Sequence, residues 1–317
     1  MALNDPFGRT IDYLRIAVTD RCNLRCIYCM PRGVPSCAAP DTLIKKEALE
    51  SLLRVAVKYG LRKVRFTGGE PLLRGDIAEL VYSAKRLGVA DVSLTTNGLF
   101  LKDRARELKA AGLDRVNVSL DSLRPGRYSE LTGGGSVERA YEGIMCAEAE
   151  GFSPIKINVV PLRGINDDEM ASFAALTLVK PYHVRFIELM PMGEGGWDGE
   201  RRVASADVME AISARLGRLL HVGAEGSSRN FRLAGSKGAL GFISPMSKHF
   251  CGACNRLRLT TRQTLRPCLF SSEEVSIAGA ASDEEMEAVL RRAVGRKPRG
   301  KEGVSSLPLE AMSQVGG

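Results

Sequence analysis

Apolar and polar positions along the first two thirds of the chain follow two different periods. Runs with an apolar residue at every second position predict six strands, at 13–19, 63–67, 91–96, 115–120, 155–160 and 183–189. The segments between them repeat their apolar residues every three to four positions, which predicts helices near 45–59, 76–87, 102–111, 137–150 and 168–179. Four of these segments end at a glycine, as helices commonly do: Gly60, Gly88, Gly112 and Gly151.

This regular alternation of strand and helix predicts a parallel sheet, because each crossover helix returns the chain to the same end of the sheet. Six such units are fewer than the eight of a closed barrel. We therefore expect an α/β fold, either a partial (β/α)6 TIM-like barrel or an open wound sheet. In both cases the chemistry is expected at the carboxyl ends of the strands.

The pattern changes after about residue 192. A glycine-rich loop precedes a predicted helix at 205–218, short antiparallel strands within 229–260, and a helix at 283–294. The sequence thus predicts a barrel domain, 1–191, and a C-terminal α+β extension, 192–317. The extension ends in a polar tail that we expect to be flexible and that closes with Gly316-Gly317.

Composition narrows the class of protein. The apolar fraction of 44% is sufficient for a buried core, and the absence of an 18-residue apolar run predicts no transmembrane helix. The N-terminal residues lack the apolar core of a signal peptide, so we expect a cytoplasmic protein. With 45 basic and 37 acidic residues the net charge is +8, which favours anionic ligands. The basic residues are spread out and form no nucleic-acid-binding tail.

Six of the eight cysteines form two tight triplets, Cys22, Cys26 and Cys29, and Cys251, Cys254 and Cys268. In a cytoplasmic protein such triplets are typical of metal ligands and not of disulfides. The other two, Cys37 and Cys146, are interpreted as small apolar residues. Three thiolates on a [4Fe–4S] cluster leave one iron open for another ligand. A zinc site is the alternative, especially at the second triplet, where His249 offers a fourth ligand.

The first triplet lies in "CNLRCIYC", which resembles the C-x3-C-x-aromatic-C signature of radical S-adenosylmethionine (SAM) enzymes. The next predicted strand ends in "TGGEP" (67–71), which is similar to the glycine-rich SAM-binding turn of that superfamily. The resemblance implies that the open iron binds SAM. It also implies that the reduced cluster cleaves SAM to a 5′-deoxyadenosyl radical, while the protein positions the reactants and excludes water.

The second triplet lies in "FCGACNRLRLTTRQTLRPCLF", which resembles the GTP 3′,8-cyclases, the molybdenum cofactor biosynthesis protein A family. The shared pattern is C-x2-C-x13-C followed by Leu-Phe, and the terminal double glycine is similar as well. The resemblance extends from about Tyr13 to Gly317. It implies a second [4Fe–4S] cluster that holds the guanine, and a tail that reaches the active site. The implied reaction converts GTP to 3′,8-cyclo-7,8-dihydro-GTP in molybdenum cofactor biosynthesis.

The same resemblance implies which residues bind the two substrates, and no catalytic group beyond the cluster ligands. Positions matching the family's GTP contacts are Arg15, Arg65, Thr95, Lys156, Arg256, Leu257 and Arg258. Positions matching its SAM contacts are Tyr28, Gly69, Ser119 and Met190. Basic residues inside a barrel are costly without an anion, which independently favours a polyanionic substrate. Glu188 and Asp121 are expected to make structural hydrogen bonds.

The expected partners are GTP, an electron donor and a downstream pyranopterin-forming enzyme, with a homodimer left open and no membrane or nucleic acid. Two other functions compete. A peptide-modifying radical SAM enzyme with auxiliary clusters would carry more C-terminal cysteines than the three found here. A zinc-stabilised nucleic-acid-binding protein would leave "TGGEP" unexplained and would contain zinc instead of iron.

Overall fold

A computed structural model describes residues 2–29, 43–192, 199–301 and 312–316. Six parallel strands stand side by side in chain order, each hydrogen-bonded to the next. They are β1 (Tyr13–Ala17), β2 (Lys63–Thr67), β3 (Asp91–Thr96), β4 (Arg115–Ser119), β5 (Lys156–Val159) and β6 (His183–Ile187). Each lies within two residues of its predicted bounds.

Helices connect these strands, and their apolar faces pack on the outside of the sheet, where they form the main core. They are α1 (Lys46–Lys58), α2 (Ile77–Arg86), α3 (Leu101–Ala110), α4 (Pro125–Thr132), α5 (Val137–Ala149) and α6 (Met170–Val179). Helix α4 is absent from the sequence prediction, because its eight residues are too short to show a helical period. Its ends follow ordinary rules, with Pro125 in the first turn and the left-handed Gly133 after the last.

The C-terminal region adds strands to both edges of this six-stranded sheet. Beside β6 lie β9 (Ala239–Ile243), then β8 (Ser228–Arg232) and β7 (Leu220–Glu225); beside β1 lie β10 (Arg256–Leu259), β11 (Thr264–Arg266) and β12 (Val275–Ser276). The antiparallel pairing expected within 229–260 is found between β8 and β9 and between β10 and β11, but β9 and β10 also pair in parallel with β6 and β1, which the sequence does not predict. Both reach their neighbours by long crossovers, so parallel pairing follows from the topology.

Three more helices complete the described C-terminal region: α7 (Ser205–Leu216), α8 (Asp283–Gly295) and α9 (Met312–Val315). Helix α8 packs against α1, and α9 contacts β1. The end of the tail is therefore attached to the barrel, with Ser313 and Val315 buried. Residues 302–311 of the predicted flexible tail lie outside the described residues, as do Gly317 and Cys37. No helix in the described ranges combines the length and apolarity needed to cross a bilayer.

The pairing of β10 with β1 determines where the two cysteine triplets lie. The first triplet follows the carboxyl end of β1, as expected from the sequence. Cys251 and Cys254 precede β10, and Cys268 follows the antiparallel β11, so the second triplet lies at the amino end of β1. The five residues of β1 span about 16 Å. The two triplets therefore flank opposite ends of the barrel interior, and the second lies away from the carboxyl ends of the strands, where the sequence analysis places the chemistry.

Candidate active site

A cavity of about 350 Å³ runs through the barrel interior, and the sulfur-bearing residues of both triplets line it. This volume is typical of small-molecule sites. At the end of the cavity formed by the carboxyl ends of the strands, the loop after β1 carries Cys22, Cys26 and Cys29. The backbone N–H of Leu24 donates to Cys22 Sγ at 3.4 Å, and that of Cys29 donates to the Cys26 carbonyl at 3.0 Å. These contacts hold the loop in a compact turn.

The "TGGEP" turn after β2 lies directly against this loop. The N–H of Gly69 donates to the Thr19 carbonyl at 2.7 Å. A Cβ at Gly69 would stand 2.1 Å from the carbonyl oxygen of Arg21, and one at Gly68, where φ is +138°, would stand 2.1 Å from that of Thr19. Only glycine allows so close an approach of two backbones. The two glycines thus position the cysteine loop, in addition to any contact with SAM.

Tyr28 and Asp121 join the cysteine loop to the end of β4. The Tyr28 hydroxyl donates to Asp121 Oδ2 at 2.5 Å, and Asp121 Oδ1 accepts from the Val160 N–H at 2.8 Å. Asp121 thus has the structural role favoured by the sequence. The remaining residues matched to SAM contacts, Ser119 and Met190, line the same end of the cavity.

The thiols of the first triplet are buried, and burial makes them weaker acids than free cysteine. Burial raises the pKa of Cys22, and it raises that of Cys26 well above the ordinary value. For Cys29, burial and the nearby negative charges of Cys22 and Asp121 raise the pKa to about 12. A thiol binds metal as thiolate, and a cationic centre supplies the charge that ionises it. This donor set therefore fits an iron–sulfur cluster.

The second triplet lies in a more positive environment. Burial acts to raise the pKa of Cys254, but the Lys297 ammonium, a backbone hydrogen bond and neighbouring arginines together lower it below the ordinary value. His249 lines the cavity nearby. Within the described ranges, no three or more His, Cys, Asp or Glu side chains are grouped to hold a single metal ion.

Three arginines form a row across the cavity wall between the triplets. Arg15 on β1 is in register with Arg258 on β10 and with Arg65 on β2. Burial lowers the pKa of Arg15 far below its ordinary value, with repulsion from Arg258 adding to it, and burial lowers that of Arg258 to about 10. Like charges on neighbouring strands destabilise a sheet. We call these three residues the arginine row; its arrangement favours a bound polyanion.

Other residues matched to GTP contacts surround this row. Arg256 donates to Ser227 Oγ at 2.8 Å and stacks on the rings of Tyr13 and Phe250. Lys156 is ion-paired with Glu225 at 2.8 Å. Thr95 lines the cavity too, and its Oγ1 has no hydrogen-bond partner among the described residues.

Leu257 is the exception among the matched positions. Its side chain is buried in the main core, because adjacent residues of β10 point to opposite faces of the sheet.

The C-terminal tail contacts the arginine row: the backbone carbonyl of Gly316 accepts a hydrogen bond from Arg258 Nη1. The described end of the tail therefore reaches the arginine row.

The structure also places residues in the cavity that the sequence analysis missed. Arg185 donates to Asn117 Oδ1 and Asn158 Oδ1, both at 2.7 Å, while its Nε has no partner in the described part of the chain. Burial lowers its pKa to about 9. The sequence does contain a signal for Arg185. The tripeptide "VRF" occurs in both β2 and β6, and in each strand its arginine lies on the inward face. Arg115, paired with Glu225, is a further cation there.

Glu188 makes the structural contacts expected of it. Its carboxylate accepts from the backbone N–H groups of Ser205, Met246 and Ser247 at 2.9–3.1 Å, and from the Ser247 hydroxyl. Burial acts to raise the pKa of Glu188, but these hydrogen bonds lower it below the ordinary value. An ionised carboxylate with these partners connects β6 to α7 and serves no acid function.

Comparisons with known families agree with this geometry. The family profile described as Radical SAM superfamily matches residues 16–177, and the one described as Molybdenum Cofactor Synthesis C matches residues 182–303. These matches confirm the predicted α/β fold class, a partial barrel of the radical SAM type with a C-terminal extension.

Curated relatives align along nearly the whole chain. A protein named GTP 3′,8-cyclase from Pelotomaculum thermopropionicum is 45% identical, over 99% of this chain and 100% of the relative. One of the same name from Heliobacterium modesticaldum is 48% identical, over 99% of both chains. One from Moorella thermoacetica is 46% identical, over 99% of this chain and 100% of the relative.

Solved structures share the fold at much lower identity. SuiB of Streptococcus suis, bound to its precursor peptide SuiA, superposes with a TM-score of 0.63 at 16% identity, covering 82% of this chain and 60% of that one. The protein anSMEcpe with bound AdoMet gives a TM-score of 0.62 at 15% identity, covering 92% and 82%. At such identities the likeness concerns the fold alone.

Proposed function

This chain belongs to the family of GTP 3′,8-cyclases within the radical SAM superfamily, and from that premise we propose how its residues carry the reaction. The enzyme converts GTP to 3′,8-cyclo-7,8-dihydro-GTP, the first step of molybdenum cofactor biosynthesis. Its cofactors are SAM and two [4Fe–4S] clusters. When bound, the first cluster and SAM would supply the radical chemistry that acts on the ribose of GTP.

In this proposal SAM binds at the end of the cavity nearest the first triplet. Cys22, Cys26 and Cys29 would hold the first cluster, and three thiolates would leave it able to bind the amino acid part of SAM. Tyr28 is fixed in orientation by Asp121 and presents its ring to the cofactor. Gly69, Ser119 and Met190 complete the SAM site from the ends of neighbouring strands.

GTP occupies the space between the two triplets. Cys251, Cys254 and Cys268 would hold the second cluster, which would bind the guanine. The arginine row, together with Arg256, Lys156 and Thr95, binds the ribose and triphosphate. Arginine suits this role because its planar group donates paired hydrogen bonds to phosphate oxygens. With both substrates in one cavity, the ribose lies within reach of the radical and away from water.

The observation that carries this proposal is the arginine row in a buried cavity bounded by two cysteine triplets. Arg65 donates to Ser93 Oγ and Arg258 donates to the Gly316 carbonyl, but three cations in register still repel one another, and a bound anion relieves that repulsion. A nucleotide triphosphate supplies such an anion, and a nucleobase can reach the second triplet. A neutral peptide substrate would not relieve it.

The direct test is incubation of anaerobically reconstituted full-length protein with SAM, a reductant and GTP. We expect 5′-deoxyadenosine and the 3′,8-cyclised nucleotide, and about eight iron atoms per chain. Protein that contains zinc and no iron would contradict the proposal. So would SAM cleavage that is indifferent to GTP and yields no cyclised nucleotide.

Replacing Arg256 with alanine is expected to weaken GTP binding about 5- to 150-fold, which corresponds to about 1–3 kcal/mol for a lost charged hydrogen bond. Equilibrium binding of GTP under anaerobic conditions measures this change. Arg232→Ala is the matched control, because Arg232 is exposed at the end of β8 and lies outside the cavity. Unchanged affinity in the Arg256 variant would show that this side chain does not contact the nucleotide.

The affinity for GTP is expected to fall as the pH rises above about 8. Burial and repulsion from Arg185 and Arg115 lower the pKa of Lys156 to about 8, although Glu225 opposes the shift. Phosphate favours the ammonium form, so above this pKa a proton must be taken up on binding. The affinity for GTP then falls by up to about tenfold for each further pH unit. His183 nearby has a pKa of about 4 and stays neutral in this range.

Titrations of GTP binding at pH 7 to 9.5 check this dependence. Lys156→Arg provides the control, since an arginine keeps its proton to higher pH than a lysine in the same place, and this variant should lose less affinity for GTP than the wild type as the pH rises. A wild-type affinity that is constant over this range would contradict a phosphate contact at Lys156.

We also propose three partners on chemical grounds. A one-electron donor must reduce the first cluster, and a downstream enzyme must convert the cyclised nucleotide to the pyranopterin. A second copy of the chain remains a candidate partner. Since GTP and SAM are cytoplasmic metabolites, we propose a cytoplasmic location.

A further inference from the structure

Lys297 follows α8, and its side chain reaches the second cysteine triplet. Its Nζ lies 2.7 Å from the Arg256 carbonyl oxygen, 2.8 Å from that of Pro267 and 3.9 Å from Cys254 Sγ. An ammonium group has three donors and no acceptor, so these three acceptors match its donors. The residue is 4% exposed. A lysine is rarely buried unless such partners compensate for the loss of water.

The position of Lys297 in the sheet explains what these contacts do. Strands β10 and β11 are paired through Arg258 opposite Arg266, and their backbone ladder ends there. Arg256 and Pro267 lie beyond that end, between the ladder and the cysteines. Lys297 bridges their two carbonyls where the backbone bonds have stopped. It therefore sets the separation between the segment that carries Cys254 and the segment that carries Cys268.

Arg9 makes a related connection to the third cysteine. Its guanidinium donates to the Cys251 carbonyl at 2.7 Å and to the Pro298 carbonyl at 2.6 Å. Asp5, whose side chain is buried, pairs with Arg9 and holds it in place. The chain just after Lys297 is thereby tied to the Cys251 segment. Each of the three cysteine segments therefore accepts a hydrogen bond from Lys297 or Arg9, and several further contacts hold these two basic side chains in place.

We propose that Lys297 is a positioning residue of the second triplet. It holds the Cys254 and Cys268 segments at the spacing that a [4Fe–4S] cluster requires, and its charge raises the reduction potential of that cluster. Net charge and hydrogen bonds to cysteine sulfur set such potentials, and a nearby cation stabilises the more negative, reduced state. The inference rests on the proposed function, because it requires the second triplet to hold a cluster.

The test compares Lys297→Met with Lys297→Arg in the full-length, anaerobically reconstituted protein. Lys301→Met is the matched control, since Lys301 lies on the same segment and contacts Met246 and Phe270 instead of a cysteine. Iron content is measured first. A redox titration monitored by electron paramagnetic resonance then gives the potential of each cluster, and added SAM identifies the signal of the first.

The methionine variant is expected either to lose only the second cluster, falling from about eight to about four iron atoms per chain, or to keep it at a more negative potential. The first cluster should be unchanged, and the arginine and Lys301 variants should resemble wild type. An unchanged second potential in Lys297→Met would overturn the proposal. Loss of both clusters, or equal defects in the methionine and arginine variants, would also overturn it. Wild-type protein with only about four iron atoms would instead refute the cluster at the second triplet.

Discussion

Replacing Cys22 with alanine is expected to abolish 5′-deoxyadenosine formation. In the proposed site the thiol of Cys22 is one of three cluster ligands, and it also accepts the Leu24 N–H that shapes the loop. With two thiolates, the first cluster loses both its anchorage and the single open iron that binds SAM. Iron should fall from about eight to about four atoms per chain. Chromatographic detection of 5′-deoxyadenosine after incubation with SAM and reductant measures the loss.

Cys146→Ala is the control for this experiment. Cys146 is a cysteine outside both triplets, on α5, where its Sγ donates to the Lys102 carbonyl. Its variant should keep full iron content and wild-type SAM cleavage. Persistent 5′-deoxyadenosine formation in the Cys22 variant would exclude the first triplet as the source of the radical.

The sequence predicts the barrel well, because the elements that build it are local. Strands β1 to β6 and their long helices show clear periods of two or about 3.6 residues. Helix α4 is missed because eight residues do not establish a period. The pairing of β9 with β6 and of β10 with β1 is missed for a different reason. Which edge a late strand joins depends on tertiary packing, and no pattern within 229–260 encodes it.

The sequence predicts only part of the site. The cysteine triplets stand out by spacing, and the glycine turn by its place after β2. The arginine row requires the register between β10, β1 and β2, which a single strand does not reveal. Glu225 and Lys297 reach the site from distant parts of the chain, and their sequence surroundings are unremarkable surface patterns. Arg185 was within reach, since its "VRF" repeats that of Arg65.

The placement of the triplets at opposite ends of β1 predicts that their proposed functions are separable. The first triplet lies with Gly69, Tyr28 and Ser119, and the second lies with Arg256 and the start of β10. A ligand that fills the space between them contacts both. Damage at one end should therefore leave the chemistry of the other end intact.

Replacing Cys268 with alanine tests that separation. We expect this variant to keep the first cluster and to cleave SAM, but to form no 3′,8-cyclised nucleotide. Cys268 follows β11 at the amino end of β1, about 16 Å of strand away from the first triplet. Its loss leaves Cys251 and Cys254, too few to retain the second cluster, so the guanine loses its anchor while the arginine row still binds phosphate.

Three measurements on one preparation test this prediction. The variant should contain about four iron atoms per chain. It should form 5′-deoxyadenosine and no cyclised nucleotide. Cys146→Ala serves again as the control with all three at wild-type values. Normal product yield from Cys268→Ala would refute a role for the second triplet in holding the guanine. Loss of SAM cleavage as well would mean that the two ends of the cavity are not independent. The combined result with Cys22→Ala therefore assigns the radical source to one end of β1 and the nucleotide anchor to the other.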